Sequence, residues 1–85
     1  MFRVLIIDDD PNICLFFETL LAKMGCKTFT AKRVNEAKTL SSQNNFDIIL
    51  LDLELPDGNG LDIMPDLVTL PSAPEIIIIT GTGDA

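Results

Sequence analysis

Histidine, tryptophan and tyrosine are absent from the sequence, and cysteine occurs twice, as Cys14 and Cys26. The absence of histidine excludes a Ser-His-Asp triad, a histidine metal site and a histidine phosphoryl carrier. Because two cysteines do not make a disulfide framework, we expect a reduced, cytoplasmic protein. No apolar run approaches the roughly 18 residues that a membrane span needs, and the amino terminus has no signal-peptide pattern, so we expect no membrane association.

Positive charge is also scarce, since 6 basic residues stand against 13 acidic ones and the net charge is −7. A chain this acidic is a poor candidate to bind nucleic acid or an anionic membrane. The 85 residues are 47% hydrophobic and 22% charged, which is an ordinary globular composition. We therefore expect one small domain that covers residues 1–85.

Four short segments have the pattern of β-strands. Three of them are apolar throughout, which is typical of parallel strands buried between two helical layers, and they span residues 4–7, 48–51 and 76–79. A fourth, residues 27–30, alternates polar and apolar side chains and indicates an edge strand.

Helical periodicity lies between these segments. Residues 13–24 carry apolar side chains at helical spacing, with Asp10 suited to cap the start and Gly25 suited to the end. A weaker helix is predicted over residues 34–42, and a third after Gly60.

The order of these elements predicts the fold class. Strands and helices alternate from the first strand to the fourth, which predicts an α/β fold with a parallel sheet and helices on both faces. In such sheets the functional site lies beyond the carboxyl ends of the strands.

Acidic and hydroxyl side chains follow the predicted strands at this edge of the sheet. They are Asp8, Asp9 and Asp10 after the first strand, Asp52 and Glu54 after the third, and Thr80 at the end of the fourth. Because neighbouring strands are about 4.8 Å apart, we expect carboxylates that follow the first and third strands to meet. Either cluster alone is more often structural, capping a helix or lining a turn. Their shared edge favours a metal-assisted site.

The chemistry of this acidic cluster points to a hard divalent cation. Clustered carboxylates repel one another and raise one another's pKa unless a cation lies between them. An oxygen-only ligand set without histidine or cysteine suits Mg²⁺ or Mn²⁺ better than zinc. Such an ion would neutralise charge on a phosphoryl group transferred to an aspartate.

With these motifs the sequence resembles the receiver domain of two-component response regulators. The matching segments are VLIIDDDP (4–11), DIILLDLELP (47–56) and IIIITG (76–81). The resemblance implies a flavodoxin-like, doubly wound parallel sheet with the predicted strands in the order second, first, third, fourth. Residues 60–67 and 80–85 are most similar to receivers of the nitrogen-regulator (NtrC) type, which precede an ATPase and a DNA-binding domain.

The resemblance implies a role for each residue that matches a family motif. Asp52 matches the phospho-accepting aspartate, which also contacts the metal. Asp9 matches the principal Mg²⁺ carboxylate, and Asp8 matches its neighbour, which acts largely through water. Glu54 matches the position whose backbone carbonyl binds the metal, and Thr80 matches the switch hydroxyl. The implied phosphoryl donor is the histidine of a sensor kinase.

The chain departs from the family pattern after its fourth predicted strand. The family's fourth helix, fifth strand and fifth helix have no counterpart, and neither has the lysine at the end of the fifth strand. We therefore expect a fragment of a longer protein or an assembly that completes its sheet between chains. Without the lysine, we expect phosphorylation to be weak or absent. We also expect the fourth strand to be an exposed edge that favours self-association.

Three functions remain open from the sequence. The first is a phospho-accepting receiver module, which is a signalling module rather than an enzyme. The second is a pseudo-receiver that binds proteins and is not phosphorylated. The third is a small metal-dependent phosphatase, for which the sequence offers neither a catalytic acid nor a substrate pocket.

Overall fold

The computed structural model describes residues 1–79 as a parallel sheet between two helical layers. The elements in chain order are β1 (Arg3–Ile7), α1 (Pro11–Lys23), β2 (Lys27–Ala31), α2 (Val34–Gln43), β3 (Ile48–Leu51), β4 (Glu54–Leu55), β5 (Gly58–Asn59), a 3₁₀ helix (Gly60–Ile63), α3 (Met64–Val68) and β6 (Glu75–Ile78). None of the helices described is long and apolar enough to cross a membrane.

The main sheet has the strand order β2-β1-β3-β6, and all its strands are parallel. Leu5 lies opposite Phe29 of β2 on one side and Ile49 of β3 on the other, and Ile49 in turn lies opposite Ile76. Because β6 is the fourth strand predicted from the sequence, the predicted order is confirmed. The flavodoxin-like arrangement is confirmed with it.

The core has two layers, one on each face of the sheet. Side chains of β1 alternate between the layers, as a strand requires. Leu5 and Ile7 pack into the layer that contains α2, the 3₁₀ helix and α3, whereas Val4 and Ile6 pack with Cys14 of α1. These four of the five β1 side chains are fully buried, so this strand lies at the centre of the molecule.

Helix α1 begins where the sequence predicts, because the carboxylate of Asp10 accepts a hydrogen bond from the Asn12 amide at 2.8 Å. Gly25 has a φ of 84°, a left-handed conformation that suits glycine and lets the chain leave the helix. The predicted apolar stripe faces the sheet only in part. Phe17 and Leu21 pack on the core, while Phe16 and Leu20 are exposed.

The third predicted helix is divided into two pieces. Residues Gly60–Ile63 form the 3₁₀ helix, and α3 begins only at Met64, which places Pro65 within the first turn of α3. Proline is tolerated there because its missing N–H would have no partner within the helix. The short antiparallel hairpin of β4 and β5 was not predicted from the sequence.

Strand β6 is an edge within residues 1–79, since it pairs with β3 on one side only. Its side chains are much less buried than those of β1 and β3. Ile77 is 49% exposed and Ile78 is 46% exposed. The expectation of an exposed edge therefore describes this strand better than the burial that its apolar pattern suggests.

Candidate functional site

The ends of β1 and β3 place two aspartates side by side. Asp8 follows the last residue of β1, and Asp52 follows the last residue of β3. The ladder continues for one bond beyond the strands, because the Asp52 amide donates to the carbonyl of Ile7 at 2.8 Å. The Asp8 amide donates to the carbonyl of Ala31 at 3.0 Å in the same way. Both aspartates are therefore positioned by the most buried part of the sheet.

Three carboxylates converge at this point. One oxygen atom from each of Asp8, Asp9 and Asp52 lies within 4.8 Å of the other two. Asp8 is 2% exposed and Asp52 is 7% exposed, whereas Asp9 faces solvent. The cluster thus has a buried floor made by two aspartates and an open side marked by the third.

The position of Asp8 is held by two further contacts. Its Oδ1 atom accepts a hydrogen bond from the Asp10 amide at 2.9 Å. Its backbone carbonyl accepts one from the Sγ atom of Cys14 at 3.2 Å. Asp10 itself turns its carboxylate to the start of α1, so it serves as the helix cap and lies outside the carboxylate cluster.

The electrostatics of this arrangement are unfavourable for bare carboxylates. Burial raises the pKa of Asp8, and the charges of Asp52, Asp9 and Asp10 act in the same direction, while the hydrogen bond from the Asp10 amide opposes them. A divalent cation between the carboxylates would remove this repulsion. The donor set consists of carboxylate oxygens alone, which is the set that Mg²⁺ accepts, so the residues present fit that ion.

Burial also affects the neighbouring thiol. Cys14 is buried against β1, and this burial raises its pKa to about 11, with the negative charge of Asp8 as the next contribution. A free cysteine is most often a small buried or half-buried hydrophobe, which is the prediction for Cys14 even though it lies just off the main apolar stripe of α1. The structure confirms the burial, and the thiol donates a hydrogen bond to the Asp8 carbonyl in the core.

The segment after Asp52 approaches the cluster through its backbone. The Glu54 amide lies 3.4 Å from the Oδ1 atom of Asp52, at the long end of hydrogen-bonding distance. The side chain of Glu54 is exposed and is not one of the three converging carboxylates. Any direct contribution of Glu54 to the cluster therefore has to come from its main chain.

Gly60 brings the far end of this segment back against Asp52. A Cβ atom on Gly60 would lie 2.3 Å from the Asp52 carbonyl oxygen and 3.0 Å from Cδ1 of Leu51. The Gly60 amide donates to the carbonyl of Leu53 at 2.7 Å. Only glycine leaves room for this close approach. The sequence indicated only that a helix follows Gly60, and gave no sign of the contact with Asp52.

One residue near the site has a role that the sequence analysis missed. The carboxylate of Asp57, in the turn between β4 and β5, accepts hydrogen bonds from the amides of Val34 at 2.7 Å and Asn35 at 3.2 Å. These bonds, led by that from Val34, hold the pKa of Asp57 below its usual range. Local sequence patterns carry no signal for this contact because it joins two distant segments of the chain. The predicted switch residue Thr80 lies outside the residues that the structure describes.

Comparisons with known proteins identify the family to which the chain belongs. A family model described as "Response regulator receiver domain" matches residues 4–85. The response regulator protein PilR of Pseudomonas aeruginosa is 36% identical over 95% of this chain and 18% of its own length. The cell cycle transcriptional regulator CtrA of Caulobacter vibrioides is 33% identical over 96% of this chain and 36% of its own length.

A solved structure shows the same fold. The response regulator protein TrrA of Thermotoga maritima, crystallised in complex with Mg²⁺-BeF, is 30% identical, with a TM-score of 0.87 over 98% of this chain and 72% of that chain. The chain thus spans about a fifth to a third of the length of the curated relatives named above. The family model covers nearly the whole chain, and the chain belongs to the response regulator receiver domain family, whose members are signalling modules.

Proposed function

We propose that this chain is a phospho-accepting receiver module that takes a phosphoryl group from a sensor histidine kinase onto Asp52 in the presence of Mg²⁺. The observation that carries the proposal is the convergence of Asp8, Asp9 and Asp52 within 4.8 Å at the carboxyl ends of two central strands. The similar protein TrrA was crystallised in complex with Mg²⁺-BeF, which supports binding of a divalent cation by this fold.

Several residues at the cluster would coordinate the ion together. We assign direct contacts to the carboxylates of Asp9 and Asp52 and to the backbone carbonyl of Glu54, and a contact through water to Asp8. Mn²⁺ would suit the same oxygen ligands. When bound, the ion supplies positive charge that offsets the negative charge of an incoming phosphoryl group.

The chemical step itself requires one nucleophile. An oxygen of the Asp52 carboxylate attacks the phosphorus atom of the kinase's phosphohistidine, and the P–N bond breaks as the imidazole nitrogen leaves with its electron pair. An aspartyl-phosphate results. Asp52 is mostly buried, so the donor would approach from the side where Asp9 is exposed. The chain is thus a substrate of the kinase and a signalling module rather than an enzyme with its own turnover.

Further assignments accompany this proposal. We assign the role of the switch hydroxyl to Thr80 and place the module in the cytoplasm. We also propose that the module belongs to a protein of the NtrC type, in which a receiver precedes an ATPase and a DNA-binding domain. We also propose that copies of the chain associate through β6, whose half-exposed Ile77 and Ile78 border an edge that pairs with no strand of residues 1–79.

Intact mass spectrometry tests the phosphoryl acceptor directly. The chain is incubated with Mg²⁺ and a small phosphodonor, beside an Asp52→Asn control and a sample that contains EDTA. We expect one phosphoryl group on the wild-type chain with Mg²⁺ and none in either control. Modification of only a fraction of the wild-type chain still supports the proposal when the Asp52→Asn variant shows none.

The alternative is a pseudo-receiver that keeps the fold and binds a partner without phosphorylation. The converging carboxylates disfavour it, because repelling acids that never meet a cation serve no evident purpose. A wild-type chain that neither binds Mg²⁺ nor accepts a phosphoryl group would overturn the receiver function in favour of this alternative. Hydrolysis of a phosphate ester that depends on Asp52 would instead support a phosphatase.

A further inference from the structure

The segment that follows Asp52 is an antiparallel hairpin. Strands β4 and β5 pair so that Glu54 lies opposite Asn59 and Leu55 lies opposite Gly58. An isolated hairpin with strands this short is not stable in water. Its position beside the carboxylate cluster must therefore come from contacts with the rest of the molecule.

One of these contacts holds the base of the hairpin. Gly60 lies so close to the Asp52 carbonyl oxygen that a Cβ atom there would come within 2.3 Å of it. The hydrogen bond of 2.7 Å from the Gly60 amide to the Leu53 carbonyl closes the base. The base is therefore fixed against the end of β3.

A second contact holds the tip. Asp57 accepts hydrogen bonds from the first two amides of α2, those of Val34 and Asn35. Arg33, the residue at the N-cap position of α2, makes no side-chain capping bond of its own. Asp57 thus caps α2 from another part of the chain and, in doing so, ties the tip of the hairpin to that helix.

We propose that Asp57 is a positioning residue of the metal site: by tying the hairpin to α2, it holds the main chain of Glu54 in place for the ion. The inference rests on the proposed function, since it presupposes that Mg²⁺ binds at the carboxylate cluster. The physical reason is preorganisation, because a ligand on a hairpin fixed at both ends loses little freedom when the ion binds.

Thermodynamic reciprocity predicts an observable effect of Mg²⁺ on the hydrogen bonds between Asp57 and α2, which simple stabilisation of α2 would not produce. If the tie strengthens Mg²⁺ binding by some factor, Mg²⁺ must strengthen the tie by the same factor. Hydrogen exchange of the Val34 and Asn35 amides, which donate to Asp57, should therefore slow when Mg²⁺ is added.

The test compares Mg²⁺ affinity, measured by calorimetric titration at constant ionic strength, across matched variants of the 85-residue chain. Asp57→Ala should weaken binding by about tenfold, the low end of the range for outer contacts of metal sites. Asp57→Asn keeps one acceptor oxygen and should fall between Asp57→Ala and the wild type.

Two controls separate positioning from other effects. Glu36, in the first turn of α2, accepts a hydrogen bond of 2.7 Å from the amide of Lys32, just before the helix. Glu36→Ala therefore removes a contact at the start of α2 while leaving the Asp57 tie intact. Asp62 is another exposed acid beside the hairpin, with a carboxylate oxygen 3.9 Å from where a Cβ on Gly58 would lie. Asp62→Ala therefore removes a similar charge without the tie. Both controls should leave the affinity within about twofold of the wild type.

The outcomes distinguish failure of the positioning role of Asp57 from failure of the proposed function. If the wild type binds Mg²⁺ and Asp57→Ala binds it as tightly as Asp62→Ala does, the positioning role is wrong while the proposed function stands. If the wild type does not bind Mg²⁺, the proposed function fails and this inference fails with it. Selective weakening in Asp57→Ala, together with slower exchange of the Val34 amide on adding Mg²⁺, supports the inference.

Discussion

Asp8 carries a carboxylate in a buried position beside three other acids, and its ionisation works against the fold. Its pKa is raised by burial above the value of an unfolded chain. A carboxyl group whose pKa is raised by folding stabilises the fold most at pH values below its pKa in the unfolded chain. This contribution to the free energy of unfolding is lost as the pH rises through the pKa in the folded state. The metal-free protein is thus expected to lose part of its stability on going from acidic to neutral pH through this residue.

Asp8→Asn should therefore raise the free energy of unfolding of the metal-free chain at neutral pH, because the neutral amide feels no charge repulsion. The advantage over the wild type should shrink as the pH falls and the wild-type carboxyl group becomes protonated. Urea unfolding followed by circular dichroism at several pH values measures this. An advantage that stays constant with pH would show that repulsion at Asp8 is not its cause.

Substitution of Gly60 should lower the free energy of unfolding and disturb the main chain at Asp52. A methyl group there would meet the Asp52 carbonyl oxygen, which is backbone and cannot move aside easily. Gly60→Ala should cost about 2–3 kcal/mol of unfolding free energy, as overpacking of a tight contact does. Gly25→Ala serves as a comparison, since the space around its Cβ position is open and its cost comes from the positive φ alone. Equal losses for the two variants would argue against the close approach.

At the scale of elements, three of the four strands of the main sheet could be predicted from an unmistakable apolar run, and β2 from its alternation of polar and apolar side chains. Residues 4–7 and 49–51 are buried on both faces of the sheet, which is why these segments are apolar throughout. The hairpin of β4 and β5 has strands of two residues each, which are too short to show any periodicity. Its tie through Asp57 was unpredictable for a different reason, since it depends on where α2 begins in three dimensions.

The edge strand β6 leads to a prediction about association. Ile77→Lys should weaken self-association by about tenfold or more, because a charged side chain on an edge opposes pairing with a second copy. Sedimentation velocity over a range of concentrations measures the change. Leu15→Lys, at an exposed position of α1 and thus outside β6, provides the comparison. A wild-type chain that stays monomeric at all concentrations would contradict association through β6.

At the scale of the whole molecule, binding at the carboxylate cluster should stabilise the entire fold. The cluster joins the ends of β1 and β3, so it exists only when the sheet is formed. At a Mg²⁺ concentration about 100 times the dissociation constant, the free energy of unfolding should rise by about 2.7 kcal/mol. Urea unfolding with Mg²⁺ or with EDTA measures this gain, which Asp9→Asn should greatly reduce. Equal midpoints for the wild type in the two conditions would mean that no ion binds at the cluster.

The candidate site was more predictable than its surroundings. Asp8, Asp9 and Asp52 could be placed together because parallel strands end at a common edge, which is a consequence of topology alone. The hydrogen bond from the Cys14 thiol to Asp8 and the closeness of Gly60 could not, since they depend on how side chains pack rather than on the order of elements.

The thiol of Cys14 has a consequence for the chemical durability of the protein. Because burial raises the pKa of the Cys14 thiol to about 11, almost none of it is ionised at pH 7. Oxidants react with the thiolate, and this thiolate is both scarce and enclosed. The sulfur atom that supports Asp8 is therefore shielded from peroxide, and oxidative stress should leave this side of the acidic cluster chemically unchanged.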